Sequence, residues 1–146
     1  MISAQKFVIF VNKALTFDKM GRLMHNLSNN KSEVFAMIDF KNVPEKYLPE
    51  FKGGEGAFTP KMVTDELNKI MLGKLDEGCS IGLHTHDTSS EIIFFISGQG
   101  KVIHNGVEEP VAPGLCHYCK MGSEHSLINT GSEPLMFYAV VPEHKM

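Results

Sequence analysis

Residues 78–98 read GCSIGLHTHDTSSEIIFFISG, and three side chains in that stretch, His84, His86 and Glu91, govern what the rest of the chain can be. On a helix, residues two apart point roughly 200° around the axis from each other, whereas on a strand they share a face about 6.6 Å apart, near enough for both rings to reach one ion. His84-Thr85-His86 is therefore a strand ligand pair. Asp87, Thr88, Ser89 and Ser90 form a polar turn, and Glu91-Ile92-Ile93-Phe94-Phe95-Ile96 reads as the returning strand, so a hairpin brings Glu91 beside the two imidazoles. If Glu91 faces inward, Ile93, Phe95 and Ser97 do too, and Ile92, Phe94 and Ile96 make an outer apolar face that needs cover.

A second block supplies a fourth ligand. It runs from Gly114 through Lys120, Met121 and Gly122 to His125 and Asn129. Three imidazoles and one carboxylate at these spacings can converge on a single metal ion. Together the two blocks resemble the paired motifs of the cupin superfamily, G(x)5HxH(x)3–4E(x)6G and G(x)5PxG(x)2H(x)3N. The first block matches at every defined position; in the second, Lys120 stands where the motif has proline. The resemblance implies a small single-domain cupin: an all-β double-stranded β-helix, or jelly-roll barrel, with its metal at His84, His86, Glu91 and His125. It also favours a homodimer paired through sheet surfaces. In metal-dependent cupin dioxygenases a ligand carboxylate can leave the ion, and Glu91 would then serve as a catalytic base.

Composition agrees with one compact domain. At 146 residues, with 42% hydrophobic and 21% charged side chains, the chain can bury a sizeable core. A net charge of −3 leaves no basic footprint for nucleic acid, and no apolar run approaches the roughly 18 residues that span a bilayer. Three cysteines, an odd count without a secreted framework, fit a reducing, cytoplasmic setting. Cys116 and Cys119 form a CxxC, but a strand puts residues three apart on opposite faces, so the two thiols do not share an ion.

Val11, Leu15, Met20, Leu23, Met24 and Leu27 recur at approximately helical spacing, so residues 1–36 read as an arm with a short helix, and residues 37–146 as the barrel domain. Pro44, Pro49, Gly53, Gly54 and Gly56 mark an irregular loop. From there on, short apolar segments separated by turn signals predict strands near 61–63, 68–75, 82–86, 91–97, 101–104, 115–119, 125–129 and 135–141. Asn105-Gly106 predicts a type I′ hairpin.

Histidine with carboxylate suits one divalent transition metal ion, Fe, Mn, Ni, Cu or Zn, and an octahedral ion would keep two positions for water, substrate or dioxygen. Arg22 is the single arginine, so no bidentate clamp for a carboxylate or phosphate is evident in the barrel. The candidate substrate-pocket walls, Met71, Phe95, Met121, Leu127 and Phe137, are apolar and favour a small neutral or aromatic ligand. His104, His117 and His144 lie outside the motifs and read as surface or packing histidines. Two classes of function follow: a metalloenzyme acting on a small organic molecule, dioxygenase-like or isomerase- or decarboxylase-like, and a non-catalytic binding or sensing module whose metal is structural.

Overall fold

The computed structural model of the chain describes residues 37–144. The arm and helix expected over 1–36 lie outside them. Eleven strands follow in order: β1 Leu48–Pro49, β2 Ala57–Phe58, β3 Lys61–Thr64, β4 Asn68–Leu75, β5 Ser80–Thr85, β6 Glu91–Ser97, β7 Gly100–His104, β8 Val107–Val111, β9 Cys116–Cys119, β10 Glu124–Asn129 and β11 Leu135–Pro142, with one 3-10 turn at Phe51–Gly53. They form two antiparallel sheets. One has the order β1-β2-β4-β11-β6-β9 with β3 on β4, and the other β5-β10-β7-β8. The non-sequential order is that of a jelly roll, which buries one face of each sheet against the other.

Alternation along the strands builds the core. In β11, Leu135, Phe137, Ala139 and Val141 are buried while Tyr138 between them is exposed. Phe137 stacks on Phe58 with ring centroids 6.0 Å apart and meets Phe95 at 6.3 Å. Each fully buried side chain of this size stabilises the fold by about 1.5–3 kcal/mol. Gly73 makes the aromatic packing possible, because a Cβ there would run into the Phe137 ring.

The hairpin expected at Asn105-Gly106 is present, joining β7 to β8 with φ of 48° and 81°, the doubly positive pair of a type I′ turn. In β6, Glu91, Ile93 and Phe95 face inward as expected, whereas Ser97 is exposed. A register shift explains the difference: β11 pairs Met136 with Ser97 but Phe137 with Phe95, so the alternation breaks at Ile96. The outer face of this sheet presents Phe94, Ile96, Tyr118 and Tyr138, all exposed. Among the described residues no helix is long and apolar enough to cross a membrane.

Candidate metal centre

The two sheets bring the ligand candidates together from opposite sides. His84 on β5 lies directly across from His125 on β10, while Glu91 is the first residue of β6 in the other sheet, so the polar turn at 87–90 crosses between sheets and does not close the hairpin expected there. His86 follows the end of β5, and the chain there is pinned on both sides: its N–H donates to the Ser123 carbonyl at 3.1 Å and its carbonyl accepts from Gly122 N–H at 2.8 Å. The turn before His125 closes without the motif's proline, through a Ser123 N–H to Lys120 carbonyl bond of 3.0 Å.

One ligand atom from each of His84, His86, Glu91 and His125 lies within 4.8 Å of all the others. Glu91 Oε2 sits 3.2 Å from His86 Nε2 and 3.0 Å from His125 Nε2, and those two nitrogens are 3.1 Å apart. Neighbouring ligands of an octahedral ion with bonds of about 2.1 Å are about 3.0 Å apart, so the spacing of these three fits one ion, with the His84 ligand atom within 4.8 Å of each. His86, Glu91 and His125 are buried, and His84 is half-buried.

Each imidazole is also held from behind. His84 Nδ1 is 2.9 Å from the Gly82 carbonyl, which can only accept, so His84 carries its proton on Nδ1 and keeps the Nε2 lone pair for the centre. His86 Nδ1 meets Ser89 Oγ at 2.9 Å, and His125 Nδ1 meets His117 Nε2 at 3.0 Å. All three rings thus engage Nδ1 elsewhere, the arrangement expected of metal-ligating histidines. Gly82 is required in its place, since a Cβ would collide with the Lys52 carbonyl of the 3-10 turn packed on β5.

Protonation follows from this packing. Burial alone would push the Glu91 carboxyl up, but hydrogen bonds from His125 and His86, and their charges, outweigh it and hold the group down at about 2. Burial pulls the His84 imidazolium below its ordinary value, against the raising effect of the Gly82 bond. Burial also brings His117 down to about 4, helped by the charges of His125 and His104. Near neutral pH the centre therefore offers an anionic carboxylate at Glu91 and, at His84, an imidazole whose protonation is disfavoured.

His117 is the neighbour that the sequence reading set aside. Its ring stacks on His125 with centroids 5.2 Å apart, and His104 stands edge-on behind it. The signal was the alternation of β9: Cys119 is buried and Cys116 exposed, and the inward register that carries Cys119 carries His117 as well. The two thiols do point to opposite faces. Of the candidate pocket walls, Phe95 lines a cavity beside the centre, Met71, Leu127 and Phe137 belong to the buried core, and Met121 is exposed. His144 lies apart from the ligands and bonds through Nε2 to Ser90 Oγ at 3.0 Å.

The family model described as Cupin domain matches residues 71–141. The oxalate-binding protein of Thermotoga maritima is 38% identical over 104 residues, covering 67% of this chain and 85% of that protein. The chain belongs to the cupin family. Among solved structures, this cupin is similar to a predicted oxalate decarboxylase from Thermotoga maritima, with a TM-score of 0.70 and 26% identity over 73% of this chain and 98% of that one. It also shares its fold with a sugar phosphate isomerase from Silicibacter pomeroyi, at a TM-score of 0.61 and 18% identity over 73% and 75% of the two chains.

Proposed function

We propose that this cupin holds one divalent transition metal ion at His84, His86, Glu91 and His125 and binds oxalate, or a similarly small dicarboxylate, at that centre. The observation that carries the reading is the donor set, buried but for the half-buried His84: three imidazoles held through Nδ1 from behind, and one carboxylate oxygen within 3.2 Å of two of their Nε2 atoms. The names borne by the Thermotoga maritima relatives supply the ligand class. Bound there, the ion would supply positive charge and open coordination positions for a carboxylate. That role matters because no arginine falls among the described residues, so within them no bidentate clamp meets an anion and the ion would supply the charge.

The protein's own residues do the rest. Glu91 stays ionised and lowers the charge of the loaded centre; Ser89, Gly82 and His117 fix the rings; the surrounding sheets exclude water from all but the half-buried His84 side. Calorimetric titration of the metal-loaded protein tests the reading. Oxalate should bind, acetate should bind far more weakly, and metal-free protein should bind neither; oxalate binding that survives metal removal would overturn it.

The name of the solved relative favours a second reading, a metalloenzyme. Turnover of oxalate would consume one proton and release formate and carbon dioxide, so formate production separates an enzyme from a binding module. We also propose a homodimer through the outer face of β6, β9 and β11, where Phe94 is 51% and Tyr118 51% exposed. Phe94→Glu should convert the dimer to a monomer in light scattering, and a wild-type monomer would refute the assignment.

A further inference from the structure

The ladder between β11 and β6 does not stop where β6 begins. The register that pairs Val140 with Ile92 runs on to pair Glu143 with Ser89, in the turn that crosses between the sheets. Ser90 N–H donates to the Pro142 carbonyl at 3.2 Å, and His144 N–H donates to the Thr88 carbonyl at 2.8 Å. Side chains double this seam: Thr88 Oγ1 donates to Glu143 Oε2 at 3.0 Å, and His144 Nε2 lies 3.0 Å from Ser90 Oγ. The strap at 142–144 is anchored in turn, because Glu143 N–H donates to the Leu67 carbonyl at 2.6 Å and Lys69 Nζ lies 3.7 Å from Glu143 Oε1.

Among the described residues, every hydrogen bond from the turn at 87–90 goes to this strap except one, which joins Ser89 Oγ to His86 Nδ1 at 2.9 Å. Ser89 is therefore the link between the sheets. Its backbone continues the ladder that carries Glu91, while its hydroxyl holds the ring of His86, just past the end of β5 in the other sheet. Ser89 and Ser90 are both buried, so water does not readily take over these contacts. Without the strap the turn would lose its fixed backbone, and each placement of Ser89 Oγ on His86 would cost conformational entropy. We propose that the strap at 142–144 positions the metal centre, holding Ser89 Oγ on His86 Nδ1 and thereby setting the His86 ring against Glu91. Thr88 and His144 touch none of the four ligands and act through Ser89 as positioning residues. The contacts stand without an ion; only their effect on affinity rests on the metal reading.

The test is a double-mutant cycle on the full chain. Thr88→Val/His144→Ala removes both side-chain bonds at exposed positions, and His144→Pro removes the main-chain bond to Thr88 together with the ring. In chelator competition for zinc near neutral pH, each should weaken binding by about 10-fold, the low end of the loss expected of Ser89→Ala, because each loosens the bond that Ser89→Ala deletes. Added to Ser89→Ala, neither should cost more than about a further twofold, whereas a strap that merely stabilised the fold would add its full loss. His144→Gln keeps the main-chain donor and an amide at the reach of Nε2, and should stay near wild type. In metal-free protein, both strap variants should move the His86 Nδ1 resonance toward its position in Ser89→Ala. Zinc affinity within about twofold of wild type in both variants, a fully additive loss, or an unmoved His86 resonance would each overturn the proposal. If His144→Pro does not fold, Thr88→Val/His144→Ala decides. A wild type that takes up no zinc fails the metal reading, and the His86 resonance still decides this one; variants that bind zinc as tightly as a zinc-loading wild type fail only this one.

Discussion

Asn129, the last residue of the second motif, is 1% exposed and works entirely through its amide. Its Nδ2 donates to the Leu75 carbonyl and to the Glu133 carbonyl, both at 2.9 Å, and its Oδ1 accepts from Gly131 N–H at 2.9 Å. Asn129→Leu keeps the branched shape, with methyls in place of the amide oxygen and nitrogen, and removes all three bonds. Leu75 is fully buried, so its carbonyl loses a donor where water does not replace it, at about 1–3 kcal/mol. Glu133 is exposed and Gly131 N–H retains a 3.3 Å contact with the Gln99 carbonyl, so those two bonds cost about 0.5–1.5 kcal/mol each. The sum is about 2–6 kcal/mol of destabilisation. With a urea m-value of about 2 kcal/mol/M, the middle of the usual range, the midpoint read by circular dichroism should fall by roughly 1–3 M. Metal content should stay at the wild-type level, because Asn129 lies at the far end of β10 from His125. A midpoint within about 0.3 M of wild type would refute the reasoning, since three lost bonds would then cost less than one ordinary one.

Ser89→Ala should do the opposite: by releasing His86 Nδ1 it should weaken metal affinity by about 10–100-fold in chelator competition and leave the urea midpoint nearly unchanged. Gly73→Ala should destabilise by about 1–3 kcal/mol, because Phe137 is fully buried against Phe58 and cannot yield; a neutral effect in thermal melts would show that the ring has room to move. Metal-free protein should lose stability as the pH falls from 6.5 to 4, because the unfolded chain takes up protons on His117 and His84 that the folded chain resists, His117 down to about 4. Glu91 should extend the loss below pH 4.5, since its contribution disappears as the pH falls through its folded value of about 2. Urea midpoints at pH 7, 5 and 4 check the sign, and a midpoint that rises on acidification contradicts it.

Much of the barrel was legible because each strand carries its own alternation and its own punctuation. The Glu91 strand, as far as Phe95, and the Asn105-Gly106 hairpin emerge in the register expected of them. The candidate ligands were legible for a local reason too, since His84 and His86 need only a strand to share a face; Glu91 joins them without the hairpin expected there, because β5 and β6 belong to different sheets and the turn between them crosses from one to the other. What escaped was set by long-range pairing. The shift at Ile96 depends on how β6 meets β11, which no pattern inside β6 encodes. His117 has no partner within its own segment and acquires its role from His125, eight residues away across the barrel. Alternation marks Met71, Phe95, Leu127 and Phe137 as inward-facing, but in a small barrel one interior serves as both dry core and cavity, and only the packing shows that Phe95 borders the cavity.

Elemental analysis of protein purified without a metal-affinity column, on the wild type beside His84→Ala and His125→Ala, tests the central assignment most directly. The account predicts close to one transition metal ion per chain in the wild type and a sharp loss in both variants, each of which removes a donor from the set around Glu91. No bound metal in the wild type after exposure to the divalent series, or undiminished content in folded variants, would contradict it.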